Sequence, residues 1–554
     1  MKPNMQSPWF FALLGIVFFI PFLGGVHLFD WDEINFAEIA REMVVLHNYL
    51  EVHMNYEPFT EKPPLFFWLQ AGSMHLWGVG DYAARFPNAV MGVIALPFLF
   101  LLGKKLHGNR FGFYWALAYF GSILPHLYFK SGIIDPIFNF LIFLGLYFLI
   151  QYVWTYNYGK HFATSNKKVL RYLVFAGIST GLAVLTKGPV AYLITGLTLA
   201  VYWVSVRFKW YISVKHFIIY TVSMLVTVSI WAMLNYFQHG PDFMVEFTIR
   251  QWELLTTQDA GHGGFIGYHV VVLLLGCFPA SIFAIQTFLK PDTRANNRQA
   301  DFARWMKYLF WVVLILFSLV STKIVHYSSL AYYPLTYLAA ISLMRLEHGD
   351  WRFTIPMKAG LWTVGGLAAL VTILLPFFGR NIEALKPLFE NDPFAVENLE
   401  ANVNWTGWES IAGFFMVFIL ITALWRYRKQ TGKAINTLFF GTGVWIMLTL
   451  FFYINNIEGY SQRAAIEFWE SLQGENCYVS TFGYKSYAHF YYSRTKPHAS
   501  GKQNDGNWLL HGSIDKPVYI SCKVTGKEKF EKEVPDASFL YHKNGFYFYK
   551  RMPK

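Results

Sequence analysis

Leu65-Phe66-Phe67-Trp68-Leu69-Gln70-Ala71-Gly72-Ser73-Met74-His75-Leu76-Trp77 decides how this chain is threaded. If the stretch crosses a membrane, every later loop changes side. It is shorter than the roughly 20 apolar residues that a spanning helix needs, and it carries Gln70, Ser73 and His75. Its apolar positions Leu65, Trp68, Leu69, Gly72 and Leu76 recur at helical spacing, which predicts a helix lying in the interface rather than across it. A second amphipathic segment precedes it. There Phe36, Ile39, Met43, Leu46 and Leu50 fall on one face and Glu38 and Arg41 on the other, so two surface helices are expected in one outer loop.

Around that loop the chain is a string of apolar runs. Hydrophobic residues make up 55% of its 554 residues and charged ones only 14%, which excludes a set of soluble domains for most of the length. Spans are read near 9–26, 84–103, 111–129, 136–154, 171–186, 189–206, 214–234, 268–289, 305–321, 325–344, 357–378, 408–427 and 434–453, about thirteen in all. The connections 104–110, 160–171, 207–215, 290–307, 345–358 and 426–433 are rich in Lys and Arg, whereas 27–83 and 235–267 are not. Basic loops stay in the cytoplasm, so the N-terminus is expected there and the tail outside. The same distribution accounts for the net charge of +12 and argues against nucleic acid as a partner. No cleavable signal is evident, because the first run lacks a small-residue cleavage site.

The expected organisation is a transmembrane domain over 1–457 and a small soluble α/β domain over 458–554, on the periplasmic or extracytoplasmic side. In the tail, 461–473 reads as a helix, 476–482 and 517–524 as strands, and 539–550 as a hairpin around Asn544-Gly545. Of the three cysteines, Cys277 lies in an apolar run. Cys477 and Cys522 read as free thiols in neighbouring strands rather than as a disulfide.

No expected span carries an Asp or Glu near its middle, which is where ion-coupled transporters place acids. The ionisable residues cluster at outer span ends instead, the pattern of an enzyme working on the outer membrane surface. Asp32 and Glu33 open a helix and favour its dipole; either carboxylate also suits a general base that takes a proton from an attacking hydroxyl. Lys62 directly precedes a helix start at Pro63-Pro64, where free N–H groups and the dipole attract an anion such as a lipid phosphate. Asp135 precedes Pro136 and reads equally as an N-cap or a catalytic acid. Lys187-Gly188-Pro189 forms an outer turn with a cation. Glu61 with His262 makes half of a divalent-metal site, which two ligands do not complete; no other cofactor is indicated.

Asp32-Glu33, Ala37-Glu38-Ile39-Ala40-Arg41-Glu42-Met43, Glu61-Lys62-Pro63-Pro64-Leu65, Thr186-Lys187-Gly188-Pro189 and Lys323-Ile324-Val325-His326-Tyr327, with Tyr333-Pro334, together resemble a known family. The chain is similar to the integral-membrane glycosyltransferases that use polyprenyl-phosphate sugars (the GT-C fold). It is nearest the lipid A aminoarabinose transferases and more distantly similar to the protein O-mannosyltransferases. The resemblance covers about residues 5–455. It implies inverting transfer from a lipid-phosphate donor to a lipid, glycan or protein acceptor, with Asp32 in the catalytic position and Lys62 on the donor phosphate. It also implies that Lys323 and Tyr327 border that phosphate and that Glu61 with His262 matches a metal-associated pair. The rival functions are a lipid-linked sugar flippase or transporter, and a polysaccharide polymerase or ligase.

Overall fold

A computed structural model describes residues 6–159, 166–256, 264–290, 292–498 and 501–553. Helical segments occupy all thirteen expected places. Among the described residues eight helices are long and apolar enough to cross a membrane: Asp81–His107, Asp135–Tyr156, Lys167–Lys187, Val214–His239, Asn297–Leu319, Ile355–Arg380, Trp408–Tyr427 and Thr431–Gly459. Tyr268–Gly276 and Ala280–Leu289 are long and apolar enough only taken together, and they are bent by 117° at the break between them, the geometry of a broken span or a re-entrant loop. Pro279 sits at that break, where it has no N–H to continue the helical ladder. Pro8–Phe19, Asn109–Phe120, Val190–Ser205 and Tyr332–Glu347 are shorter than the runs that predicted them. Turns interrupt the apolar sequence there: Gly121-Ser122 after the second, and a 3-10 segment, Val325–Ala331, before the last.

Val214–His239 shows what the apolar composition is for. Ile218, Val226, Ile230 and Phe237 are exposed on one side, while Tyr220, Met224 and Trp231 are buried on the other. A helix apolar all round is stable only where lipid replaces water on its outer face. It lies tight against the span Lys167–Lys187 because Gly177 and Gly181 admit it. A Cβ at either position would stand 2.6 Å from the Tyr220 carbonyl oxygen or 2.9 Å from that of Met224. Small residues four apart allow this backbone approach.

The first outer loop folds as the helix Asp32–Leu46, a two-stranded hairpin β1 (His53–Met54) and β2 (Glu57–Pro58), and the helix Leu65–Trp77. The last of these buries Phe66, Phe67, Gln70 and Met74 and exposes Leu69, Leu76 and Trp77. Its neighbour departs from expectation: Glu38 and Arg41, read as a water-facing surface, are buried. Arg41 makes two hydrogen bonds to Glu38 (2.7 and 2.6 Å) and reaches Tyr56 and Thr495. The polar face is covered by the tail.

That tail carries a four-stranded sheet of β3 (Tyr478–Phe482), β4 (Val518–Lys523), β5 (Ala537–Lys543) and β6 (Phe546–Arg551), in the order β3-β4-β6-β5. β3 pairs parallel to β4 and the other pairs are antiparallel. β5 and β6 join through Asn544-Gly545 with φ of 49° and 79°, the left-handed pair of a tight hairpin turn. Cys277, Cys477 and Cys522 are free and buried. One sheet face has its own small core of Phe482, Ile520 and Phe530. The other shares a core with the first loop, where Ile466, Phe468, Trp469 and Phe548 cluster with Ile34, Phe36, Ile39 and Met43. The tail is thus seated on the loop.

Glu33 and Arg85 pin this loop to the membrane body. The pair is buried at 2.8 Å. Arg85 also donates to the carbonyls of Leu23, Val26 and His27, and Glu33 accepts from the N–H groups of Phe29 and Gly132. Burial opposes the charge on Glu33, but Arg85 and those N–H donors outweigh it and hold the carboxyl below its ordinary range. A depressed carboxylate contributes stability above its unfolded pKa and loses it as pH falls through the folded value. Glu33→Gln should therefore cost about 3–5 kcal/mol, because it leaves a buried guanidinium unpaired. Thermal melts in detergent should show the difference at neutral pH and see it shrink on acidification below the ordinary glutamate range.

Candidate active site

Asp32 opens the helix Asp32–Leu46, one residue before the anchored Glu33. Its carboxylate is half exposed and lies 3.4 Å from His326 Nε2. The same nitrogen is 3.8 Å from Asp135 Oδ2, and Asp135 Oδ1 accepts from Lys187 Nζ at 2.7 Å. Lys187 lies over the Tyr327 ring, 5.3 Å from its centroid. So the first loop, the start of Asp135–Gly159, the turn after Asn166–Lys187 and the 3-10 segment Val325–Ala331 converge on one spot. An imidazole thus stands between two carboxylates, the second of which is paired with Lys187.

Lys62 joins this group as a second cation. Loss of hydration pulls its amine below the usual lysine range and Lys187 adds to that, against Glu61, Asp32 and Asp135. It forms no ion pair among the described residues, which leaves an ammonium available beside a pair of carboxylates. Such a group attracts an anion placed there.

Other sequence candidates have different duties. Glu33 is not free for proton transfer, since both oxygens are spent on Arg85 and backbone N–H groups. Lys323 is not directed at a phosphate. Its Nζ donates to the carbonyls of Phe317, Ser318 and Val320 at the end of Asn297–Leu319, where a cation complements the helix dipole. Glu61 Oε1 accepts from Arg250 Nη2 at 2.7 Å. His262 lies outside the described residues, and among those described no group of three His, Cys, Asp or Glu side chains is arranged for a metal ion.

Two residues of the site carried no assigned role in the sequence reading. His326 stood inside a quoted motif, and its signal was an imidazole at an outer span end. Arg85 has no local sequence signal; only the fold shows the five hydrogen bonds it donates to Glu33 and three carbonyls.

Known proteins resemble this chain in sequence and in fold. Residues 61–233 match the family described as dolichyl-phosphate-mannose-protein mannosyltransferase. The chain is 26% identical over 378 residues to the undecaprenyl phosphate-alpha-4-amino-4-deoxy-L-arabinose arabinosyl transferase of Edwardsiella ictaluri, a match covering 67% of this chain and 66% of that protein, just under two thirds of its length. The transferase of the same name from Yersinia enterocolitica is 23% identical over 567 residues, covering 98% of both. Among solved structures, ArnT from Cupriavidus metallidurans bound to undecaprenyl phosphate superposes with a TM-score of 0.76 at 17% identity, covering 99% of each chain. The fold is that of ArnT. In sequence the chain is similar to the aminoarabinose transferases over two thirds or more of its length.

The different uses of the lysines can be separated by experiment. Lys323→Met should lower thermal stability by about 1–3 kcal/mol through carbonyls left unsatisfied, without changing affinity for a polyprenyl phosphate. Lys62→Met should do the reverse; calorimetry and melts on the two purified variants check both.

Proposed function

We propose that this chain is an inverting glycosyltransferase that moves a sugar from a polyprenyl-phosphate donor to an envelope acceptor at the outer face of the membrane. The observation that carries this reading is the convergence of Asp32, His326, Asp135 and Lys187 beside Lys62, which is in no ion pair among the described residues. The donor phosphate is received by Lys62, with Lys187 as the second cation. In a single displacement the acceptor oxygen bonds to the anomeric carbon while the bond from that carbon to the phosphate oxygen breaks. The electron pair leaves on the phosphate, whose growing charge the lysines stabilise.

Asp32 takes the acceptor's proton where the acceptor is a hydroxyl, and orients it where the acceptor is a phosphate. His326 stands beside Asp32 and Asp135 beside His326, while the neighbouring Glu33–Arg85 anchor sets where Asp32 sits. Lipid phosphate is a good leaving group that needs no acid catalyst, so one carboxylate suffices where hydrolases use two. The names of the relatives favour a 4-amino-4-deoxy-arabinose donor, and the family resemblance favours lipid A over a glycan or protein acceptor. The Lys/Arg pattern of the loops supports a cytoplasmic N-terminus and an extracytoplasmic tail. No step of this reading runs through a metal ion.

Asp32→Asn should lower turnover by about 100-fold or more with melting unchanged. Lys62→Ala should raise the donor KM by roughly 10-fold or more, the usual worth of a charged hydrogen bond to phosphate. Both are read by the release of free polyprenyl phosphate from donor in detergent. Intact donor crossing vesicles without such release would instead make the chain a flippase, and mass spectrometry of lipid A and envelope glycans identifies the transferred unit.

A further inference from the structure

A pocket of about 570 Å³ opens between the first outer loop, the outer loop around residue 394 and the tail. Its walls include Asp30 and Trp31 from the first loop, Phe394 from the second, and Tyr484, Lys485 and Lys523 from the tail. Neither Lys62 nor Lys187 lines it. Its volume falls in the ~300–1,000 Å³ range of small-molecule sites. Trp31 immediately precedes Asp32 in the chain, so the pocket shares the first loop with the candidate active site.

The chemistry of these walls is unusual for a structural joint. Lys485 Nζ lies 4.7 Å from the centre of the Trp31 ring. Lys523 Nζ lies 4.2 Å from that of Phe394 and 5.2 Å from that of Tyr484. Neither ammonium is in an ion pair among the described residues; both are steered by aromatic faces. Asp30, which also lines the pocket, accepts from the Tyr487 N–H at 3.4 Å and from Ser486. Aromatic faces suit the C–H faces of a sugar ring, a carboxylate accepts from its hydroxyls, and two unpaired ammonium groups call for an anionic substituent such as phosphate.

We propose that this pocket binds the head group of the acceptor, a phosphorylated saccharide, and that the tail thereby selects the acceptor. The proposal rests on the transferase reading and deepens it. The membrane body receives the donor through Lys62 and Lys187. The tail receives the other substrate through Lys485 and Lys523, and Asp32 stands where the two meet. It also explains why the sheet is seated on the loop that carries Asp32 rather than tethered away from it.

The test is calorimetry on the full chain in detergent, with lactose phosphate, lactose and polyprenyl phosphate as probes. Lactose phosphate should bind about 10-fold or more tighter than lactose, and the double variant Lys485→Ala, Lys523→Ala should abolish that preference. The double variant should also raise the acceptor KM by roughly 10-fold or more while donor KM and kcat stay within about 2-fold. Arginine at both positions keeps the charges and should keep the binding, which guards against loss through misfolding. Equal binding of lactose and its phosphate overturns the proposal, as does an equal loss of polyprenyl phosphate binding in the double variant. Transfer with an acceptor KM indifferent to both lysines removes this site and leaves the transferase standing. Lactose phosphate binding by a chain that never releases polyprenyl phosphate removes the transferase, and the acceptor role with it.

Discussion

The buried ion pair between Glu33 and Arg85 is the constraint on which the outer half of this protein depends. A pair of charges taken out of water contributes little net stability, but breaking it is costly. Its effect is therefore positional. Arg85 belongs to the span Asp81–His107 and gathers the carbonyls that follow the first helix, while Glu33 ties down the start of Asp32–Leu46 and the N–H of Gly132. Three chain segments meet at one carboxylate. Asp32, next in sequence and pointing elsewhere, is placed beside His326 and Asp135 by that anchor rather than by bonds of its own.

The active-site charges follow from the same economy. Lipid surrounds the body, so ionisable side chains collect where spans end and pair with one another. Asp135 is neutralised by Lys187, Glu61 by Arg250, and Lys323 by helix-end carbonyls. Among the described residues of the site, Lys62 and the half-exposed Asp32 keep spare capacity, a cation and an anion at a shared surface. That combination suits a reaction in which negative charge develops on a phosphate while an acceptor is steered or deprotonated nearby.

The tail belongs to this arrangement. Its strands share a core with the first loop, and that shared burial turns the amphipathic helix Asp32–Leu46 into a layer enclosed on both faces. An interfacial helix with Glu38 and Arg41 toward water was the reasonable reading from periodicity, which reports only that two faces differ. It does not report what covers the polar one. Arg41, bonded to Glu38 and touching Thr495, shows that the cover is protein.

Hydropathy was enough to mark a helical segment at each of the thirteen expected spans, to keep Leu65–Trp77 out of the span list and, with turn chemistry, to find the tail's hairpin; the helix Asp242–Thr256, in a stretch read as an outer loop, escaped it. These are properties summed over neighbouring residues, and the chain carries them wherever it goes. Motif chemistry likewise marked Asp32, Lys62, Asp135 and Lys187. Only the tertiary structure decided which charges are free. Glu33 and Asp32 are adjacent and chemically alike, yet one is consumed by Arg85 and the other faces His326, because an ion pair takes its partner from a distant segment that no local pattern records.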